Sequence, residues 1–142
     1  MAEDNCLFCR IVSGELPATA IYEDEVSFAF LDHRPLFPGH TLLVPREHVE
    51  TLSELPVTQV EPYFKAAQLL ARAVESGLEA EGTFVAMNNR VSQSVPHLHV
   101  HVVPRRKGDG LKGFFWPRTK YKGEEEMKSV QSKIAAALKK FK

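Results

Sequence analysis

Three histidines, His97, His99 and His101, stand at every second position in the run Gln93-Ser-Val-Pro-His-Leu-His-Val-His-Val-Val-Pro-Arg105. A β-strand sends successive side chains to opposite faces, so this spacing lines three imidazoles on one face and Leu98, Val100 and Val102 on the other. The segment reads as a half-buried strand ended by Pro104, which has no N–H for the ladder. Near neutral pH an imidazole serves as nucleophile, general acid or metal ligand, and a strand holds several at fixed separations. Two chemistries fit the row: attack by a neutral imidazole, or a three-His zinc hydrolase, because His-x-His on a strand is also a metal-ligand spacing. Solvated histidines on a plain sheet face are a poor reason for three in register.

A second group is Cys6-x-x-Cys9, which holds both cysteines of the chain. A redox pair of this spacing usually opens a helix after a strand, and no strand fits ahead of residue 6, which favours metal over redox chemistry. A Cys2His2 zinc site needs two histidines from elsewhere, and there are six to choose from.

The elements that must position these groups follow from patterning. Asn5 or Asp4 is a suitable cap for a short helix carrying Cys6, Phe8, Cys9, Ile11 and Val12, with Gly14 to stop it. Residues 18–23 and 25–31 read as two strands joined through Asp24, and Asp32 closes the second. Taken alone, Asp32 is a turn former before it is a ligand for sugar hydroxyls. The Pro38-Gly39 pair suits a type II turn leading into an apolar strand over 40–45. From Val57 to Ala80 the apolar positions Val57, Val60, Phe64, Ala67, Leu70, Ala71, Val74 and Leu78 predict one long amphipathic helix, with a capping box at Thr58 and Glu61 and an end at Gly77 or Gly82. Residues 83–87 read as a strand that pairs antiparallel with the histidine strand, which puts Asn88, Gln93 and Ser94 of the connecting loop beside the imidazoles. A C-terminal helix over 124–141 carries Met127, Val130, Ile134, Leu138 and Phe141 on one stripe, suited to the sheet or to a second subunit. These elements are strands, one long central helix, a short N-terminal helix and a C-terminal helix. Residues 1–142 are expected to form one domain, with a core over about 4–105 and a loop and helix over 106–142.

Eighteen basic and eighteen acidic residues cancel, which removes the global field that draws proteins onto nucleic acid or anionic membranes. Residues 117–142 hold eight Lys/Arg against three Glu, leaving ten against fifteen before them. No apolar run reaches membrane-spanning length, and the acidic Met1-Ala-Glu-Asp start is unlike a signal peptide, so a cytoplasmic protein is expected.

The run His97-Leu-His-Val-His-Val-Val103 resembles the signature of the histidine-triad (HIT) family. Cys6-Leu-Phe-Cys9, Tyr22-Glu-Asp, Ala29-Phe-Leu-Asp32, Pro38-Gly-His40, Val44-Pro-Arg-Glu-His48, Asn88 and Gln93-Ser-Val95 extend the likeness in order over nearly everything up to Arg105. The resemblance implies an α+β fold built on an antiparallel sheet, and a homodimer that hydrolyses or transfers nucleotides at the α-phosphorus, with small-molecule substrates such as nucleoside phosphoramidates and dinucleoside polyphosphates. A nucleotide-sensing dimer with incidental hydrolysis is the alternative from another class.

Residue by residue, the likeness makes His99 the nucleophile that forms a nucleotidyl-imidazole. It sets His101 and Ser94 against the phosphate, Gln93 near the leaving group, Asp32 on the ribose hydroxyls, Asn88 near ribose and phosphate, and His40 behind the triad. It also implies a structural zinc held by Cys6, Cys9, His48 and His97, which leaves the three-His catalytic zinc the weaker option because that would idle the cysteines. The loop from Asn88 to Gln93 is shorter than the family's glycine-rich loop and carries Arg90, and the tail after Arg105 departs from the better-known branches. Trp116 and Arg118 are candidates there for completing the site across a dimer.

Overall fold

The computed structural model describes residues 3–111 and 118–141. They fall into two compact units, Met1–Asp109 and Gly110–Lys142, each treated by itself below.

In the first unit a short helix α1 (Leu7–Val12) precedes strands β1 (Ala20–Glu23), β2 (Ser27–Leu31) and β3 (Thr41–Pro45). The long helix α2 (Val57–Leu78), β4 (Gly82–Ala86) and β5 (Val100–Arg105) follow. The strands form one antiparallel sheet in the order β1-β2-β3-β5-β4. Asp24 closes the β1–β2 turn by accepting from the amides of Val26 (2.8 Å) and Ser27 (2.7 Å).

Side-chain alternation divides the interior in two. Ala29, Leu43, Leu98, Val100 and Val102 pack beneath α2 with Tyr63, Ala66, Leu70 and Val74. Phe28, Phe30, Leu42 and Val44 face the other way and pack with Phe8, Cys6 and Cys9. The apolar row between the histidines thus anchors one face of the sheet, and the imidazoles share the other with α1. Tyr63 fixes the helix to the sheet, its buried hydroxyl donating to the Leu43 carbonyl at 2.7 Å.

The structure corrects several boundaries. β5 begins at Val100 and runs through Pro104 to Arg105, instead of ending at the proline. Pairing with β3 covers only Val100–Val102, so Pro104 lies beyond the start of that neighbour and its missing N–H costs no bond there. The capping box occurs at Thr51 and Glu54, closing a 3-10 turn over Leu52–Glu54, while α2 has Pro56 as its N-cap with no side-chain cap. Glu79, with φ of 53°, ends α2 in place of either glycine. Neither Asn5 nor Asp4 caps α1; Cys6 does, its sulfur accepting from the Cys9 amide. The stripe on α2 is also rotated: Tyr63 and Ala66 are buried, whereas Val57, Val60, Phe64 and Leu78 are exposed.

In the second unit α3 (Glu124–Leu138) runs into a 3-10 turn, Lys139–Phe141, as the pattern predicts. None of its residues is buried, and Met127, Ile134, Leu138 and Phe141 are exposed. Arg118 is exposed as well, and Trp116 lies outside the described residues.

Candidate functional site

The segment ahead of β5 brings His97 against the carbonyl of Pro45 at the end of β3, where its Nε2–H donates at 2.8 Å. Its Nδ1 therefore carries a lone pair, and that nitrogen lies 3.3 Å from Cys6 Sγ and 3.5 Å from Cys9 Sγ. Cys9 Sγ is 3.3 Å from Nδ1 of His48, and all four donor atoms lie within 4.8 Å of one another. A tetrahedral centre with metal–sulfur bonds of about 2.3 Å and metal–nitrogen bonds of about 2.0–2.1 Å sets sulfur and nitrogen about 3.5 Å apart, so this cluster could hold a metal ion. Glu3 lies 3.6 Å from the far nitrogen of His48, as outer carboxylates do at ligating histidines. Burial is the main cause that raises the Cys6 thiol above its ordinary pKa, and burial lowers His97 to about 4, which keeps its lone pair available.

His99 is buried against the ring of Phe8, with centroids 5.1 Å apart. Its Nδ1–H donates to the His97 carbonyl at 2.8 Å, which leaves Nε2 unprotonated. Burial, above all, keeps its pKa below the ordinary value, which favours the neutral ring with a free lone pair on Nε2.

A second chain of bonds fixes His101. The Leu36 amide donates to Nδ1 of His40 at 3.0 Å, so the neutral His40 ring must carry its proton on Nε2. That Nε2–H points at Nδ1 of His101 across 2.9 Å, which in turn puts the proton of His101 on its own Nε2. Burial lowers both rings, with charge repulsion from His99 adding to it, and His101 falls to about 4. The Phe37–His40 turn aims the Leu36 amide: Gly39 has φ of 101°, and the His40 amide donates to Phe37 O at 3.0 Å. Asp32 Oδ2 lies 3.8 Å from His40 Nε2, while its Oδ1 accepts from the Arg34 amide at 2.9 Å.

Asp32, His40 and His101 also stand close enough to share a cation. The Leu36 amide argues against one, because a metal on Nε2 would leave His40 with no proton while its other nitrogen still accepts. Among the described residues no such group joins His97, His99 and His101, the arrangement a three-His zinc site would need.

A cleft of about 450 Å³ opens beside Asp32, lined by Pro17, Ala18, Thr19, Phe30, Leu31 and His33. The structure thus gathers Asp32, His40, His99 and His101 at one place and Cys6, Cys9, His48 and His97 at another. Asn88, Gln93 and Ser94 stand in the loop between β4 and β5, where Asn88 donates to the Ser92 carbonyl at 3.2 Å and Ser94 is exposed. Sequence reasoning missed the Leu36 amide, the Pro45 carbonyl and Glu3. Backbone groups carry no residue signal, but the Thr51-x-x-Glu54 spacing was readable as a box.

A family profile described as the HIT domain matches residues 13–108. The chain belongs to the HIT family. A HIT family protein of Bacillus subtilis with a known crystal structure superposes on it with a TM-score of 0.84 and 38% identity, covering 94% of this chain and 96% of that one. A zinc-bound histidine triad family protein from Mycobacterium smegmatis gives 0.72 at 39% identity, covering 94% and 97%. The adenosine 5'-monophosphoramidase hnt1 of Schizosaccharomyces pombe is 31% identical over 137 residues, 95% of this HIT chain and 99% of its own length.

Proposed function

We propose that this HIT protein hydrolyses or transfers a nucleotidyl group from a nucleoside phosphoramidate or dinucleoside polyphosphate. The observation that carries the reading is the pair of fixed tautomers: His99 presents a lone pair on Nε2 and His101 an N–H on Nε2, 4.9 Å apart between ring centroids. His99 Nε2 attacks the α-phosphorus and the bond to the leaving group breaks, giving a nucleotidyl-imidazole. The His101 Nε2–H donates to a phosphate oxygen as charge gathers there. Water then cleaves the phosphorus–nitrogen bond, releasing the nucleotide and restoring the neutral imidazole. Asp32, beside the cleft, takes the ribose hydroxyls, and Ser94 and Asn88 take the phosphate side. The S. pombe relative, a monophosphoramidase by name, supports the substrate class.

Cys6, Cys9, His48 and His97 hold zinc, a reading that the donor set and the zinc-bound relative support. Four protein ligands leave the metal no open position, so it ties α1 to the sheet. The working unit is a homodimer, a reading that the edge strand β4 and the exposed Val60, Phe64 and Leu69 of α2 support. Among the described residues no helix is long and apolar enough to cross a membrane, in keeping with a cytoplasmic site of action.

Mixing the protein with an adenosine phosphoramidate and quenching within one turnover should yield an adenylylated chain by mass spectrometry. The His99→Ala variant should give none, and undiminished turnover by that variant would sink the mechanism. Tight retention of mononucleotide without turnover on a panel of both substrate classes would favour a nucleotide sensor instead.

A further inference from the structure

The likeness to the family sets Gln93 near the leaving group, yet its amide makes a bond at each end within the protein. Nε2 donates to the Glu50 carbonyl at 2.6 Å, and Oε1 accepts from the Arg90 amide at 2.8 Å. The Leu52 amide donates to Asn89 Oδ1 at 2.8 Å, and the Arg90 guanidinium reaches the carboxylates of Glu50 at 3.6 Å and Glu54 at 3.8 Å. The receiving segment is itself pinned, because Glu54 Oε1 accepts from the amides of Glu50 (3.0 Å) and Thr51 (3.3 Å). Within the loop Arg90 and Ser92 have φ of 71° and 61°, left-handed conformations that non-glycine residues hold only where their surroundings over-determine them. The bonds of Gln93, Asn89 and Arg90 supply that constraint.

We propose that Gln93 is a positioning residue. With Arg90 it staples the loop over 88–94 to the segment over 50–54, and the fixed shape of this short loop, more than any contact from the Gln93 amide, sets which amine leaving groups are accepted. The inference rests on the nucleotidyl-transfer reading above. It differs from that reading in giving Arg90, remote in type from any glycine-rich loop, the same part to play as Gln93.

The test is a double-mutant cycle of Gln93→Ala and Arg90→Gly, the glycine being free to adopt the backbone that Arg90 holds under strain. Two adenosine phosphoramidates are used that differ only in a small aliphatic or a bulky aromatic amine, and amide exchange at Leu52 is followed by NMR. Each single variant is expected to speed Leu52 exchange by about tenfold and to move the kcat/KM ratio of the two amines the same way, by about threefold to tenfold. The double variant should add little to either, as groups acting as one unit do. A ratio that moves in Gln93→Ala but not in Arg90→Gly, or effects that multiply, would establish direct contact and overturn the proposal. So would Leu52 exchange unchanged in both singles. Absence of wild-type turnover on both amines would refute the functional reading and the selectivity claim with it, while the exchange data would still decide whether Gln93 holds the loop.

Discussion

His40 Nε2 lies 2.9 Å from Nδ1 of His101, and the direction of the hydrogen bond between them is decided by a third group, the Leu36 amide on the opposite nitrogen of His40. The backbone N–H of Leu36 thereby fixes which nitrogen of His101 carries the proton.

Replacing His101 by Gln should lower kcat by about 10²- to 10³-fold, the usual loss on removing one donor to developing charge. His40→Leu, which leaves the His101 tautomer unbiased, should cost about tenfold in kcat with KM nearly unchanged. His40→Gln, with an amide able to donate in place of Nε2–H, should recover part of that loss. Nitrogen chemical shifts of the imidazoles give the direct check: His101 protonated on Nδ1 in the wild type would contradict the chain of bonds.

Acid should weaken the fold through the same pair. The folded pKa values of His40 and His101 lie below the ordinary 6.5, that of His101 at about 4, so the unfolded chain takes up protons first as pH falls. Their contribution to stability is fully present above about pH 6.5 and is lost as pH falls toward 4. Urea midpoints measured from pH 7.5 to 4.5 should fall more steeply for the wild type than for His101→Gln; parallel curves would refute the assignment.

Removing metal should act on stability before chemistry. Chelation, or Cys9→Ser, is expected to lower Tm by several degrees, with activity lost in step with unfolding. Cobalt substitution should give the intense thiolate charge-transfer bands of a tetrahedral site. Loss of turnover in a chelated protein that keeps its Tm would point instead to a catalytic metal.

Gly39 serves the site through the turn that aims Leu36. Its φ of 101° and the proximity of Leu78 Cδ1 to any added Cβ predict that Gly39→Ala costs about 1–3 kcal/mol in stability by denaturant titration. A neutral effect would show that the turn tolerates another backbone.

The residues that could do the chemistry were legible because strand periodicity is local. Spacing of two assigned Leu98, Val100 and Val102 to one face and the imidazoles to the other, and the packing beneath α2 and beside α1 follows that division. The cysteine pair, the two hairpin strands, the Pro38-Gly39 turn and the long helix were read from equally short-range rules. The helix face was not: the apolar positions of α2 allow two overlapping stripes, and the structure buries the one with Tyr63, Ala66, Ala67, Leu70 and Val74, where the Tyr63 hydroxyl meets the Leu43 carbonyl.

By itself the sequence determined which side chains could react and which face of the sheet would carry them, since alternation and turn chemistry depend on neighbours in the chain. Tertiary structure decided what state those side chains are in. The tautomers of His97, His99 and His101 depend on the Pro45 carbonyl, the His97 carbonyl and the His40–Leu36 pair, and the amide of Gln93 depends on Glu50. A backbone group offers the same donor and acceptor whatever its residue, so only its position in space can tell which imidazole nitrogen it leaves free.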